Sequence, residues 1–129
     1  MSTSNAEVVS VPSKLGLIAE PWSPGIVASL NGQEVKLVRL EGAFVWHKHD
    51  DADELFYVLE GSFRMEFRDG SSSVRAVELG VGDLIVVPRG VEHRPVADDA
   101  CSVMLFEPAG VVNTGDGPAS GQTNAAVRL

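Results

Sequence analysis

Cysteine is nearly missing: Cys101 stands alone in 129 residues, so no intrachain disulfide can form. It leads into the apolar run SVMLF, where an inert buried thiol is expected rather than a nucleophile. Basic residues are scarce too, with 10 Lys and Arg against 18 Asp and Glu and a net charge of −8. That balance argues against nucleic acid and anionic membranes as partners, since both demand a positive surface. A DNA-binding regulator would also need a helix-turn-helix segment, and none is legible. No apolar run approaches the roughly 18 residues of a membrane-spanning helix. The opening MSTSNAEVV has neither the positive region nor the apolar stretch of a secretory signal, so a reducing cytoplasm is the expected compartment.

What remains reads as a folded domain. Apolar residues make up 44% and charged residues 22% of the chain, a globular composition. With no internal repeat and a length near the common domain size, one domain is expected over 1–129. Its core should lie at about 30–110, with 111–129 as an extended, Gly- and Asn-rich tail along the surface or a partner subunit.

Glycines and prolines interrupt short runs of Val, Leu, Ile and Phe. The segment Ser62 to Arg68 places Phe63, Met65 and Phe67 on one face and Arg64, Glu66 and Arg68 on the other. That period-two alternation predicts a half-buried strand, and Asp69-Gly70 a hairpin turn into a partner at Val74 to Leu79. Further strands are expected at Gln33 to Leu40, Phe44 to His49, Glu54 to Glu60, Asp83 to Val87 and Ser102 to Glu107. A short helical turn is expected at Ser13 to Ala19, weakened by Gly16. The fold class is all-β, an antiparallel sandwich or barrel.

Two of the three histidines fall in WHKHDDADE, residues 46–54. On a strand, residues two apart share a face, so His47 and His49 project together and Lys48 and Trp46 point away. Glu54 opens the next strand, which can lie antiparallel beside the first and bring its carboxylate to the same point. His93, after the turn PRGVEH, can join only if the sheet wraps back. Three imidazoles and a carboxylate suit a divalent first-row ion. Spacing alone leaves a metal site and ordinary satisfied histidines equally open.

The motifs carry more. The stretch GAFVWHKHDDADELFYVLEG, from Gly42 to Gly61, resembles the first cupin motif, and GDLIVVPRGVEH, from Gly82 to His93, resembles the second. The resemblance implies a small jelly-roll β-barrel with His47, His49, Glu54 and His93 as ligands of one divalent transition metal: Fe, Mn, Ni or Zn. It also implies a homodimer, as monocupins of this size often pair. Two departures stand out: Gly42 lies one residue closer to His47 than usual, and Ala97 replaces the asparagine that often follows the second motif. The whole is similar to short bacterial cupins labelled mannose-6-phosphate isomerase-like, a label that carries no activity by itself.

On that resemblance the expected function is a metal-dependent enzyme acting on a small molecule, of dioxygenase, isomerase or lyase type. The alternative is a barrel that binds or senses a small ligand, with a purely structural barrel as the third class. No catalytic residue beyond the metal ligands is assigned. Metal-free deoxysugar epimerases and three-histidine thiol dioxygenases fit less well, because the histidines are committed to the metal and Glu54 is present. Tyr57, the lone tyrosine, should face away from the ligands. Asp50, Asp51 and Asp53 are expected as solvated turn residues.

Overall fold

The computed structural model describes residues 6–70 and 73–129; the first five residues of MSTSNAEVV lie outside the described residues. Among the described residues, one short helix, α1 (Val11–Leu15), is followed by eight strands. They are β1 (Gly25–Leu30), β2 (Gln33–Ala43), β3 (Glu54–Glu60), β4 (Ser62–Arg68), β5 (Val74–Gly80), β6 (Leu84–Val87), β7 (Glu92–Pro108) and β8 (Val127–Arg128).

The helix sits earlier than Ser13 to Ala19. Ser10 caps it, accepting from the Ser13 amide at 3.3 Å, and Pro12 occupies its first turn, where a missing N–H costs nothing. It ends at Leu15, immediately before Gly16.

The strands form one sheet in the order β5-β4-β7-β2-β1-β8, with β3 pairing both β7 and β6. The 17-residue β7 is its spine. One end of β7 pairs β4, from Arg68↔Glu92 to Arg64↔Val96. The other end pairs β3, from Glu60↔Ser102 to Leu55↔Phe106, and β2 runs along its opposite edge. Sharing one bent strand between two partners rolls the sheet into a jelly roll without closing it. Only Ser102 to Glu107 of β7 was expected; the polar Asp98-Asp99 pair obscured the rest. β1 and β8 were not anticipated.

The alternation predicted for β3 and β4 is realised. Glu54, Phe56 and Val58 point inward, as do Phe63, Met65 and Phe67. With Val38, Leu40, Val103 and Leu105 the apolar members of these rows build the main core. Burying each such side chain is worth about 1.5–3 kcal/mol. Tyr57 is half-buried on the other face, as expected.

The segment Phe44 to His49 is not a regular strand, which corrects the expectation. A bulge shifts the register between Leu40 and Gly42, and Gly42 takes φ +79°, open to glycine without strain. Beyond it the backbone bonds singly to several neighbours. Phe44 N–H donates to Pro95 O, His47 and His93 exchange two bonds, and Gly90 N–H donates to His49 O. Nor does β3 lie beside this segment, since its neighbours are β6 and β7.

The C-terminal stretch supplies the remaining partners. Lys48 N–H donates to Asp116 Oδ1 at 2.7 Å, and Asp116 N–H donates to Lys48 O at 3.1 Å. Gly115 takes φ +51°, and a Cβ there would run into Lys48 O and the His49 ring. The stretch is therefore strapped onto the histidine segment, and β8 pairs parallel with β1.

Candidate metal centre

Four side chains from three parts of the chain converge inside the rolled sheet. His47 and His49 come from the strapped segment, Glu54 from the first position of β3, and His93 from the second position of β7. Their donor atoms all lie within 4.8 Å of one another, and all four residues are buried. Glu54 Oε1 is 3.4 Å from His93 Nε2 and 3.7 Å from His49 Nε2. The structure thus gathers the four residues singled out in the sequence, although β3 brings Glu54 from across the interior rather than from the adjacent strand.

Ring orientation is set by the backbone. His47 Nδ1 meets Val45 O at 2.9 Å and His93 Nδ1 meets Val91 O at 2.9 Å. A carbonyl can only accept, so each Nδ1 carries the hydrogen and each Nε2 keeps its lone pair. Such bonds fix the tautomer a metal-binding imidazole needs.

Three of the converging atoms, His49 Nε2, Glu54 Oε1 and His93 Nε2, are buried without a hydrogen-bond partner. A buried polar atom left unsatisfied costs about 1–3 kcal/mol. Three at one point make a cradle that a cation would satisfy, so the residues fit a metal.

Electrostatics keep the cradle ready. Burial, then the neighbouring His93 and His49, lower the His47 pKa to about 4 against the bond that His47 donates to Val45 O. Burial likewise lowers His49, against the pull of Glu54. For Glu54 burial raises the pKa, yet the surrounding polar groups of His93, Glu107 and His49 outweigh it, leaving a carboxylate. Neutral imidazoles and an ionised carboxylate are the metal-binding forms.

Sequence reasoning missed Lys36 and Glu107. Lys36 Nζ donates to Glu107 Oε1 at 2.8 Å, with both side chains buried. The β3–β7 register sets the Glu107 and Glu54 carboxyls side by side, both buried, which favours a proton on one of them. Burial first, then the Glu54 charge, push Glu107 up to about 9, so Glu107 holds it. Parity offered a signal: Val103 and Leu105 face inward on β7, and Glu107 continues their row.

Above the imidazoles lies a cavity of about 30 Å3, bordered by Trp22, Leu40, Phe44, His47, Phe56 and Asn113 among others. That holds about one or two water molecules. Trp22 also escaped the sequence reading. Its ring stacks on Phe44 with centroids 4.5 Å apart, and Phe44 meets His47 edge-on at 5.3 Å. Trp22 sits at φ 61°, and its carbonyl accepts from Asn113 and Asn124 of the C-terminal stretch.

The three aspartates behave as turn residues. Asp50 pairs with Lys48, Asp53 with Arg89, and Asp51 is exposed. Trp46 points away beneath Arg68 and Arg94. Cys101 is buried, and burial followed by Glu60 raises its pKa to about 11, as an inert thiol requires.

Comparison with known proteins places this architecture. The cupin domain model matches residues 33–107, more than half of the chain. A cupin-2 domain protein of Shewanella frigidimarina shares 42% identity and superimposes with a TM-score of 0.73, covering 78% of this chain and 94% of that one. The uncharacterized protein YdbB of Bacillus subtilis is 37% identical over 68 residues, 53% of this chain and 57% of its own length. Acireductone dioxygenase of Yarrowia lipolytica is 32% identical over 66 residues, 51% of this chain and 38% of its own. The chain spans little more than half the length, or less, of these curated relatives.

Proposed function

The chain belongs to the cupin family, and we propose that it is a divalent-metal-dependent enzyme that acts on a small, uncharged, chelating molecule by dioxygenase-type chemistry. The observation that carries this reading is the convergence of three buried, unpartnered donor atoms beside a fourth ligand whose tautomer is fixed. His47, His49, Glu54 and His93 would hold one ion of Fe, Mn, Ni or Zn. When bound, such an ion polarises a chelated oxygen group and, if redox-active, couples it to dioxygen. The similarity to acireductone dioxygenase supports the oxidative choice over isomerase or lyase chemistry.

The protein's own part is orientation and exclusion of water. Val45 O and Val91 O hold the His47 and His93 rings. Trp22, Phe44 and Phe56 wall the cavity with apolar surface. Asp50, Asp51 and Asp116 line an adjoining groove with His49, and their negative field disfavours anionic substrates. Mannose 6-phosphate is therefore a poor candidate. A cytoplasmic homodimer belongs to the same proposal, on the resemblance to monocupins. Among the described residues, no helix is long and apolar enough to cross a membrane.

The small cavity supports a second reading, a barrel that senses a small ligand without turning it over. The test is elemental analysis of protein prepared without chelator or affinity tag, in air and under nitrogen. It is followed by an oxygen-uptake screen of enediols and dihydroxyaromatics. About one equivalent of metal and chelator-sensitive uptake support the enzyme; stoichiometric binding without turnover supports the sensor. No metal, and none gained on reconstitution, overturns both metal-centred readings.

A further inference from the structure

A charged row crosses three neighbouring strands behind the metal centre. In the β3–β7 register Leu55 faces Phe106, which sets Glu54 beside Glu107. In the β2–β7 register Glu34 faces Glu107 and Lys36 faces Leu105, which sets Lys36 diagonal to Glu107. Lys36, Glu107 and Glu54 are 1%, 2% and 4% exposed. From these placements, and resting on the metal-binding reading above, we infer that Lys36 and Glu107 are a positioning pair that fixes the Glu54 carboxylate toward the metal.

The division of oxygens carries the inference. Glu54 Oε1 faces the imidazoles of His49 and His93. Glu107 Oε1 is held by Lys36 at 2.8 Å, its Oε2 is buried without a partner, and the β3–β7 register sets this carboxyl beside that of Glu54. The row thus anchors Glu54 from behind and leaves Oε1 free toward the interior. Neither Lys36 nor Glu107 borders the cavity next to the imidazoles, so they act through Glu54 rather than on substrate.

Stability alone does not explain the pair. A buried charge and its polar partner are commonly no better than apolar residues of similar volume, because desolvation offsets the attraction. An anchor behind a metal ligand does need polar groups there, and partners of this kind commonly contribute 10–100-fold to metal affinity.

The experiment is a Co2+ titration of the full chain against a competing chelator, with visible spectra and metal-free melting curves. The double variant Lys36→Met/Glu107→Leu replaces both members of the pair with apolar residues of similar volume and should melt near the parent. It should bind Co2+ roughly 10–100-fold more weakly, with a shifted d–d spectrum. Glu107→Gln keeps the size and a hydrogen-bonding group, and should retain parental affinity and spectrum. A double variant with parental affinity and spectrum overturns the inference. If it does not fold, Lys36→Met alone decides: weaker Co2+ binding supports the row and unchanged binding overturns it. A parent chain that takes up no Co2+ fails differently, because it overturns the metal reading itself and this inference with it.

Discussion

His47 and His93 face each other across two reciprocal backbone hydrogen bonds, His47 N to His93 O at 3.1 Å and His93 N to His47 O at 2.9 Å, with ring centroids 4.3 Å apart. Residues from the two separate motifs are therefore locked together by main chain, whatever their side chains do. Replacing an imidazole should then abolish metal binding and leave the fold intact. His93→Ala and Glu54→Ala are expected to lower metal content from about one equivalent to near zero. The metal-free far-UV spectrum should not change. Metal content measured beside circular dichroism checks both halves. A variant that retains full metal would remove that residue from the ligand set.

Much of this site was legible because strand parity and motif spacing are local. HKH on an extended segment sends two imidazoles one way, and the alternation of ELFYVLE puts Glu54 on the same side as Phe56 and Val58. What stayed hidden depends on long-range register. Lys36, Glu107 and Glu54 come together only because β2 and β3 flank the same half of β7, a pairing no local pattern reveals. The histidine segment fails as a strand for a similar reason. Its hydrogen bonds are divided among β7, the turn at Gly90 and Asp116 of the C-terminal stretch, and that stretch reads in sequence as an extended Gly-rich tail.

Trp22 should govern both stability and the size of ligand admitted. Its ring covers Phe44 and borders the cavity, and the residue is 7% exposed. Trp22→Ala should cost about 3–5 kcal/mol in urea unfolding, the usual range for truncating a buried aromatic. The same change should let the metal-loaded protein bind catechol more tightly than the parent does. Unchanged catechol binding would mean that the cavity is entered from another side.

The metal-free chain should lose stability on mild acidification. His47 has a folded pKa of about 4 against an ordinary 6.5. Between those values the unfolded chain binds a proton that the folded chain refuses. The stabilisation is thus fully present above pH 6.5 and is lost as pH falls toward 4. His49 shifts in the same direction and adds to the slope. Melting temperatures of the apoprotein should fall from pH 7 to pH 5, and His47→Phe should flatten that fall. A wild-type profile that is flat over this interval would contradict the buried, neutral state of His47.

The C-terminal stretch should act as part of the site rather than as trailing chain. Gly115 has φ +51°, and a Cβ there would meet the Lys48 carbonyl and the His49 ring; at Gly121 a Cβ would meet nothing within 4 Å. Two identical substitutions in one Gly-rich segment should therefore diverge. Gly115→Ala forces a left-handed backbone on alanine and pushes the strap off the histidine segment, which should cost about 1–3 kcal/mol. Metal affinity should weaken with it, because His49 loses its support. Gly121→Ala should be neutral or slightly stabilising, through a less flexible unfolded chain. Paired denaturant melts and metal titrations make the comparison. Equal behaviour of the two variants would show that the strap does not support His49.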